Sequence, residues 1–130
     1  MGVFRRRRSV FSVVVAVILF FVAGVWWLKQ DSADQLLARA NLAFEAKQFV
    51  ECERLAKQIL AKDAHHTRAS LLLARIAHET KRPHEALENL SRVLAANDEN
   101  FQEAAFYTGD VWLFDLKQPA KAEEYYRRVL

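Results

Sequence analysis

Residues 49–60 read FVECERLAKQIL, residues 83–94 read PHEALENLSRVL, and the second stretch lies over the first without a gap at a shift of 34 positions. Cys52 falls on Ala86, Ala56 on Leu90, Ile59 on Val93 and Leu60 on Leu94. Upstream, Ala40 falls on Ala74 and Ala43 on Ala77. A third stretch, 119–130, reads PAKAEEYYRRVL and carries Ala122 at the same small position, but its offset is 36, so two residues have been added before it. An internal period of this size is the mark of stacked supersecondary units, each too small to bury its apolar face alone.

Each unit holds two helical patterns. Cys52, Leu55, Ala56, Ile59 and Leu60 recur at i, i+3, i+4, i+7 and i+8, and Leu36, Leu37, Ala40, Ala43 and Phe44 form a similar stripe upstream. Outside the apolar N-terminal run there is no sustained alternation and no Asn-Gly or Asp-Gly hairpin signal. Pro83 and Pro119 suit the first position of a helix, where a missing N–H costs nothing. The pattern predicts an all-α chain with helices at 33–46, 49–62, 67–80, 83–96, 101–116 and 119–130.

Val10 to Leu28 reads VFSVVVAVILFFVAGVWWL, 19 residues without a charge. As a helix it spans about 28 Å, which matches the hydrocarbon core of a bilayer. Arg5, Arg6, Arg7 and Arg8 precede it, Trp26 and Trp27 close it, and Lys29 follows. Indole rings favour the membrane–water boundary, and the side richer in cations stays in the cytoplasm. A single-pass transmembrane anchor is therefore expected. It divides the chain into a cytoplasmic basic segment at 1–9, the anchor at 10–28, a short linker at 29–32 and an extracytoplasmic body at 33–130. If the cell is bacterial, the body is periplasmic. The alternative is a cleaved leader, but the run is longer than a usual signal core, and the small residues Ala23 and Gly24 lie inside it.

The chain of 130 residues carries 19 Lys or Arg against 16 Asp or Glu, a net charge of +3. The excess is local. With the four N-terminal arginines set aside, 15 basic residues face all 16 acidic ones. A near-neutral body is not a nucleic-acid-binding domain, which needs cations spread over a face. Cys52, the single cysteine, sits at a small crossing position and reads as a buried apolar side chain. His65, His66, His78 and His84 cluster near predicted turns without the spacing of a zinc site. Gly109 is the only glycine of the body, so there is no phosphate-cradling loop. Nothing brings an acid, a base and a nucleophile together. The sequence reads as a non-enzyme without a cofactor or a metal.

The body resembles the tetratricopeptide repeat (TPR) family, a 34-residue helix–turn–helix with small residues where its helices touch. With unit starts at Ala33, Thr67 and about Gln102, the small residue of the first helix is Ala40, Ala74 and Gly109. That of the second helix is Cys52, Ala86 and Ala122. The resemblance covers Ala33 to Leu130 in units of about 33–66, 67–100 and 101–130. It departs at Arg39, where a leucine is usual, and at Ala64 and Asp98, where the proline after the second helix is missing.

The resemblance implies an α-solenoid that binds a protein or peptide partner on the face lined by its first helices. The residues it assigns to that face are Leu37, Asn41 and Phe44, then Arg68, Arg75 and His78, then Glu103, Asp110 and Leu113. Asp34, Leu71 and Phe106 share the face, with Leu71 and Phe106 expected in the core between repeats. Members that clamp a C-terminal carboxylate need cations where Leu37, Glu103 and Tyr107 stand here, so that mode is not expected. Tyr125, Tyr126, Val129 and Leu130 are expected to be partly uncovered, which makes self-association through the C-terminal helix a further expectation. The function implied is a membrane-anchored scaffold that recruits a partner. The alternatives are the N-terminal part of a larger membrane protein and a secreted repeat protein with a cleaved leader.

Overall fold

A computed structural model describes residues 2–28 and 30–130, with side chains from residue 7 onward. The expectations for the Arg5, Arg6 and Lys29 side chains lie outside the described residues. The described secondary structure is helical, without a strand. The chain divides into two compact units, Met1–Ser32 and Ala33–Leu130.

The first unit is helix α1, Gly2–Leu28. It begins eight residues before the apolar run, because nothing in the arginine segment breaks a helix and arginine is a good helix former. Within its part from Arg7 to Leu28, an 18-residue stretch reaches a mean hydropathy of 2.6 with no buried share, so the helix is long and apolar enough to cross a membrane. Trp26 and Trp27 are both exposed at its C-terminal end.

The second unit is three hairpins in series. Helices α2 (Ala33–Glu45) and α3 (Phe49–Lys62) form the first, α4 (Thr67–Glu79) and α5 (Pro83–Ala96) the second. The third joins α6 (Phe101–Asp110), a π-helical turn at Val111–Asp115, and α7 (Pro119–Val129). Within the array α3 packs on α4 and α5 on α6, so each hairpin stacks on the next. The six small positions, Ala40, Ala74, Gly109, Cys52, Ala86 and Ala122, are all buried. Leu55 and Ile59 of α3 close one core with Ala69, Leu72 and Ile76 of α4. Leu90 and Val93 of α5 close a second with Ala104 and Val111. Each fully buried leucine, isoleucine or valine among them contributes about 1.5–3 kcal/mol.

The hairpin turns follow one design. In the first, the Gln48 N–H donates to the Ala43 carbonyl at 2.8 Å and the Lys47 N–H to that of Phe44 at 2.9 Å, while Lys47 sits at φ 57°. In the second, Arg82 bonds Ala77 at 2.7 Å and Lys81 bonds His78 at 3.2 Å, with Lys81 at φ 60°. This is the Schellman closure, which satisfies the last carbonyls of a helix and normally takes glycine at the left-handed residue. The third turn is wider. The Gln118 N–H reaches back to Trp112 at 2.7 Å, the Leu116 N–H bonds the Val111 carbonyl at 3.0 Å, and Lys117 sits at φ 56°.

The added residues find their places here. The small position moves by 35 from Ala74 to Gly109, and the turn lysine by 36 from Lys81 to Lys117. One residue therefore enters before Gly109, and the π turn takes up the other. The helix predicted across 101–116 is thus α-helical only to Asp110. A π turn is how a helix absorbs a single insertion without losing its hydrogen bonds.

Candidate binding site

The first helices α2, α4 and α6 bring one residue from each hairpin into line. The Arg75 guanidinium carbon lies 4.3 Å from the centre of the Phe44 ring and 5.4 Å from that of Tyr107. Three residues separated by 31 and 32 positions thus form one aromatic–cation–aromatic stack across the array. Each such contact contributes about 0.5–2 kcal/mol, more as the pair is desolvated. The Phe44 ring also tilts against Phe49, with centroids 5.6 Å apart.

The other expected site residues divide by what they touch. Asn41 is exposed, and Leu37 and Phe44 are partly buried against the first core. Leu113 is partly buried in the π turn. Arg68 donates to Glu103 at 2.8 Å and to the Asn100 side-chain oxygen at 3.2 Å. The His78 Nδ1 lies 2.6 Å from Asp115, which also has the Lys81 ammonium at 3.5 Å. Asp110 accepts a hydrogen bond from the Tyr126 hydroxyl at 2.6 Å. The residues therefore lie on the same helices, but Arg68, His78, Glu103 and Asp110 are engaged with neighbouring hairpins or helices of the array.

Of the two residues expected in the core between repeats, Leu71 is there and Phe106 is not. Leu71 is buried, clustered with Ala104 and Val111 of the next hairpin. Phe106, expected in the same kind of core, is 47% exposed. Its ring meets Tyr107 in an edge-to-face contact with centroids 5.8 Å apart and lies at a tilt to Tyr126 at 5.9 Å. Tyr107, Phe114 and Asp115 were not assigned to the site. The two-residue offset before 119 was the one sign that this hairpin is wound differently.

A second polar network ties the loops. The Thr67 hydroxyl donates to Asp98 at 2.6 Å and accepts from the Asn100 side chain at 3.0 Å, while the Asn100 N–H donates to Asp98 at 2.9 Å. These bonds hold the Asp98 carboxyl below the usual carboxylate range, that from Thr67 most strongly. Asp98 thus closes the loop after α5 with its side chain, where a proline is usual. His66 caps α4, accepting from the Ala69 N–H at 3.2 Å. Cys52 is fully buried, and burial pushes its thiol up to about 11. Among the described residues, no group of three or more His, Cys, Asp or Glu is placed to hold a metal ion.

Residues 43–105, from the end of α2 into α6, match the family model described as tetratricopeptide repeat. No curated protein matches the chain. With three stacked hairpins and buried small residues at each crossing, the helical array is a tetratricopeptide repeat array. Arrays of this family generally act as protein–protein interaction modules.

Proposed function

We propose that the protein is a single-pass membrane scaffold whose repeat array recruits a protein or peptide partner through the face of its first helices. The observation that carries the reading is the line from Phe44 through Arg75 to Tyr107, flanked by exposed Asn41 and Phe106. A partner segment laid along it meets an apolar floor with a polar centre, the arrangement by which extended or helical peptides are held.

The anchor is α1. Its uncharged run, Arg7 and Arg8 at one end and the tryptophan pair at the other support a span with the N-terminus in the cytoplasm and the array outside. Confinement to the membrane plane raises the effective concentration of the groove towards membrane-bound partners. A cleaved leader would carry the same apolar helix, and the intact mass of the mature chain separates the two.

Affinity capture from solubilised membranes tests the recruitment. The wild type is compared with Asn41→Trp, which fills the groove from an exposed position, and with Glu88→Trp on a second helix. A discrete partner held by the wild type and by Glu88→Trp, and lost by Asn41→Trp, is the expected result. A partner set indifferent to Asn41→Trp contradicts the reading.

A further inference from the structure

Arg75 differs from the arginines around it. Arg54, Arg68, Arg82, Arg92, Arg127 and Arg128 each hold a glutamate within 3.5 Å. Arg75 is partly buried between two rings and, among the described residues, has no carboxylate within ion-pair distance and no hydrogen-bond acceptor. Contact with ring faces uses none of the five N–H donors of a guanidinium. The acidic residues that the third hairpin brings to the same face are occupied. Glu103 holds Arg68, Asp110 accepts from Tyr126, and Asp115 lies against His78 and Lys81. The uncommitted charge at the middle of the groove is therefore positive.

We propose that Arg75 receives an acidic side chain from the interior of the partner segment, with apolar residues of the partner on both sides of it. This deepens the groove reading and rests on it. A guanidinium offers a planar fork that takes both oxygens of a carboxylate, and such charge-assisted pairs are about twice as strong as neutral hydrogen bonds. The two rings hold the fork in place before binding, so little side-chain freedom is lost when the pair forms. The position selects an internal residue over a chain end. Arg75 stands in the middle hairpin, with Leu37 and Phe44 on the side of the first hairpin and Phe106 and Leu113 on that of the third. A terminal carboxylate at Arg75 would leave one of those apolar halves empty.

The test uses the full chain in lipid nanodiscs and two pools of peptides about nine residues long, which reach about 30 Å when extended. Both pools are acetylated and amidated, so neither has a free end. The central residue is glutamate in one and glutamine in the other, with flanks randomised over leucine, phenylalanine, alanine and serine. The wild type is expected to retain the glutamate pool about tenfold better than the glutamine pool. Arg75→Gln should bind both equally, Arg75→Lys should keep part of the preference, and Asn41→Trp should lose both pools.

Equal retention of the two pools by the wild type, with loss in Asn41→Trp, overturns the carboxylate assignment and leaves the groove standing. An undiminished preference in Arg75→Gln overturns it as well, since another cation then reads the acid. Retention of neither pool, or retention unchanged in Asn41→Trp, removes the groove reading itself. Circular dichroism melting confirms the fold of each variant. If Arg75→Gln does not fold, Arg75→Lys decides, because it keeps the charge and loses the fork. An unreduced preference in it overturns the proposal.

Discussion

Gly109 and Tyr126 approach so closely that a Cβ on Gly109 would lie 2.5 Å from the Cε1 atom of the Tyr126 ring. The ring cannot swing away freely, because its hydroxyl is tied to Asp110 at 2.6 Å on the same helix as Gly109. This is the crossing of α6 and α7, where the repeat places its small residue. Gly109→Ala gains about 1 kcal/mol of helix propensity. Overpacking of a fixed ring costs about 1–3 kcal/mol. The variant should therefore be neutral to about 2 kcal/mol less stable in denaturant titrations. In a double-mutant cycle with Tyr126→Leu the alanine should become stabilising. A gain from Gly109→Ala alone would show that the crossing is looser than described.

Lys47 holds a left-handed backbone at φ 57° in a Schellman turn, and its side chain is exposed. A Cβ in this region is strained, and glycine is not. Lys47→Gly should stabilise the array by about 0.5–1 kcal/mol despite the added freedom of the unfolded chain. Lys47→Val should destabilise it, since a β-branched side chain resists this conformation most. Thermal melts of the two variants check the sign of each.

Two groups are poised against alkali. Burial raises the Cys52 thiol from 9.0 to about 11, and burial with the Asp110 hydrogen bond raises the Tyr126 phenol from 10.0 to about 12. Both folded values lie above the unfolded ones, so their stabilising contributions are complete below pH 9 and fall away as the pH rises towards 11–12. Stability should decline over that window, and Cys52→Ala should flatten the earlier part of the decline. The native thiol should resist maleimide at neutral pH and react at once in denaturant. Cys52→Arg, which puts a charge into the crossing of α2 and α3, should abolish folding.

Alkaline carbonate extraction addresses α1. A spanning helix should leave the protein in the membrane pellet, and full release into the supernatant would contradict the anchor.

Apart from the C-terminal end of α6, the helix ends of the array were legible within a residue or two because period and punctuation agreed. Pro83 and Pro119 stand at first helical positions, and the 34-residue register carried the boundaries from one hairpin to the next. The small crossings were legible for the same reason. Arg39 looked like a departure and has a structural reason. Its counterpart Leu73 packs against α3, whereas Arg39 and the nearby Leu42 lie on an exposed face of α2, the helix that opens the array. The π turn was not legible, because an offset of two counts the added residues without saying how the backbone takes them up. Nor were the pairs Arg68–Glu103 and His78–Asp115, which join residues 35 and 37 positions apart across the stack. Such pairs depend on how one hairpin is rotated on the next, and a linear pattern does not carry that rotation. The sequence thus placed the proposed groove on α2, α4 and α6, while the division between charges spent inside the array and the uncommitted Arg75 came only from the coordinates.

The central claim, that the first-helix face binds a partner, is tested most directly by site-specific photo-crosslinking in native membranes. One probe replaces Asn41, exposed beside the Phe44–Arg75–Tyr107 line, and a control probe replaces Glu88, exposed on α5. The account predicts a discrete adduct from the Asn41 probe alone, with one protein identified in it by mass spectrometry. Adducts of equal yield from both sites, or none from the Asn41 probe while the protein sits folded in its membrane, would contradict it.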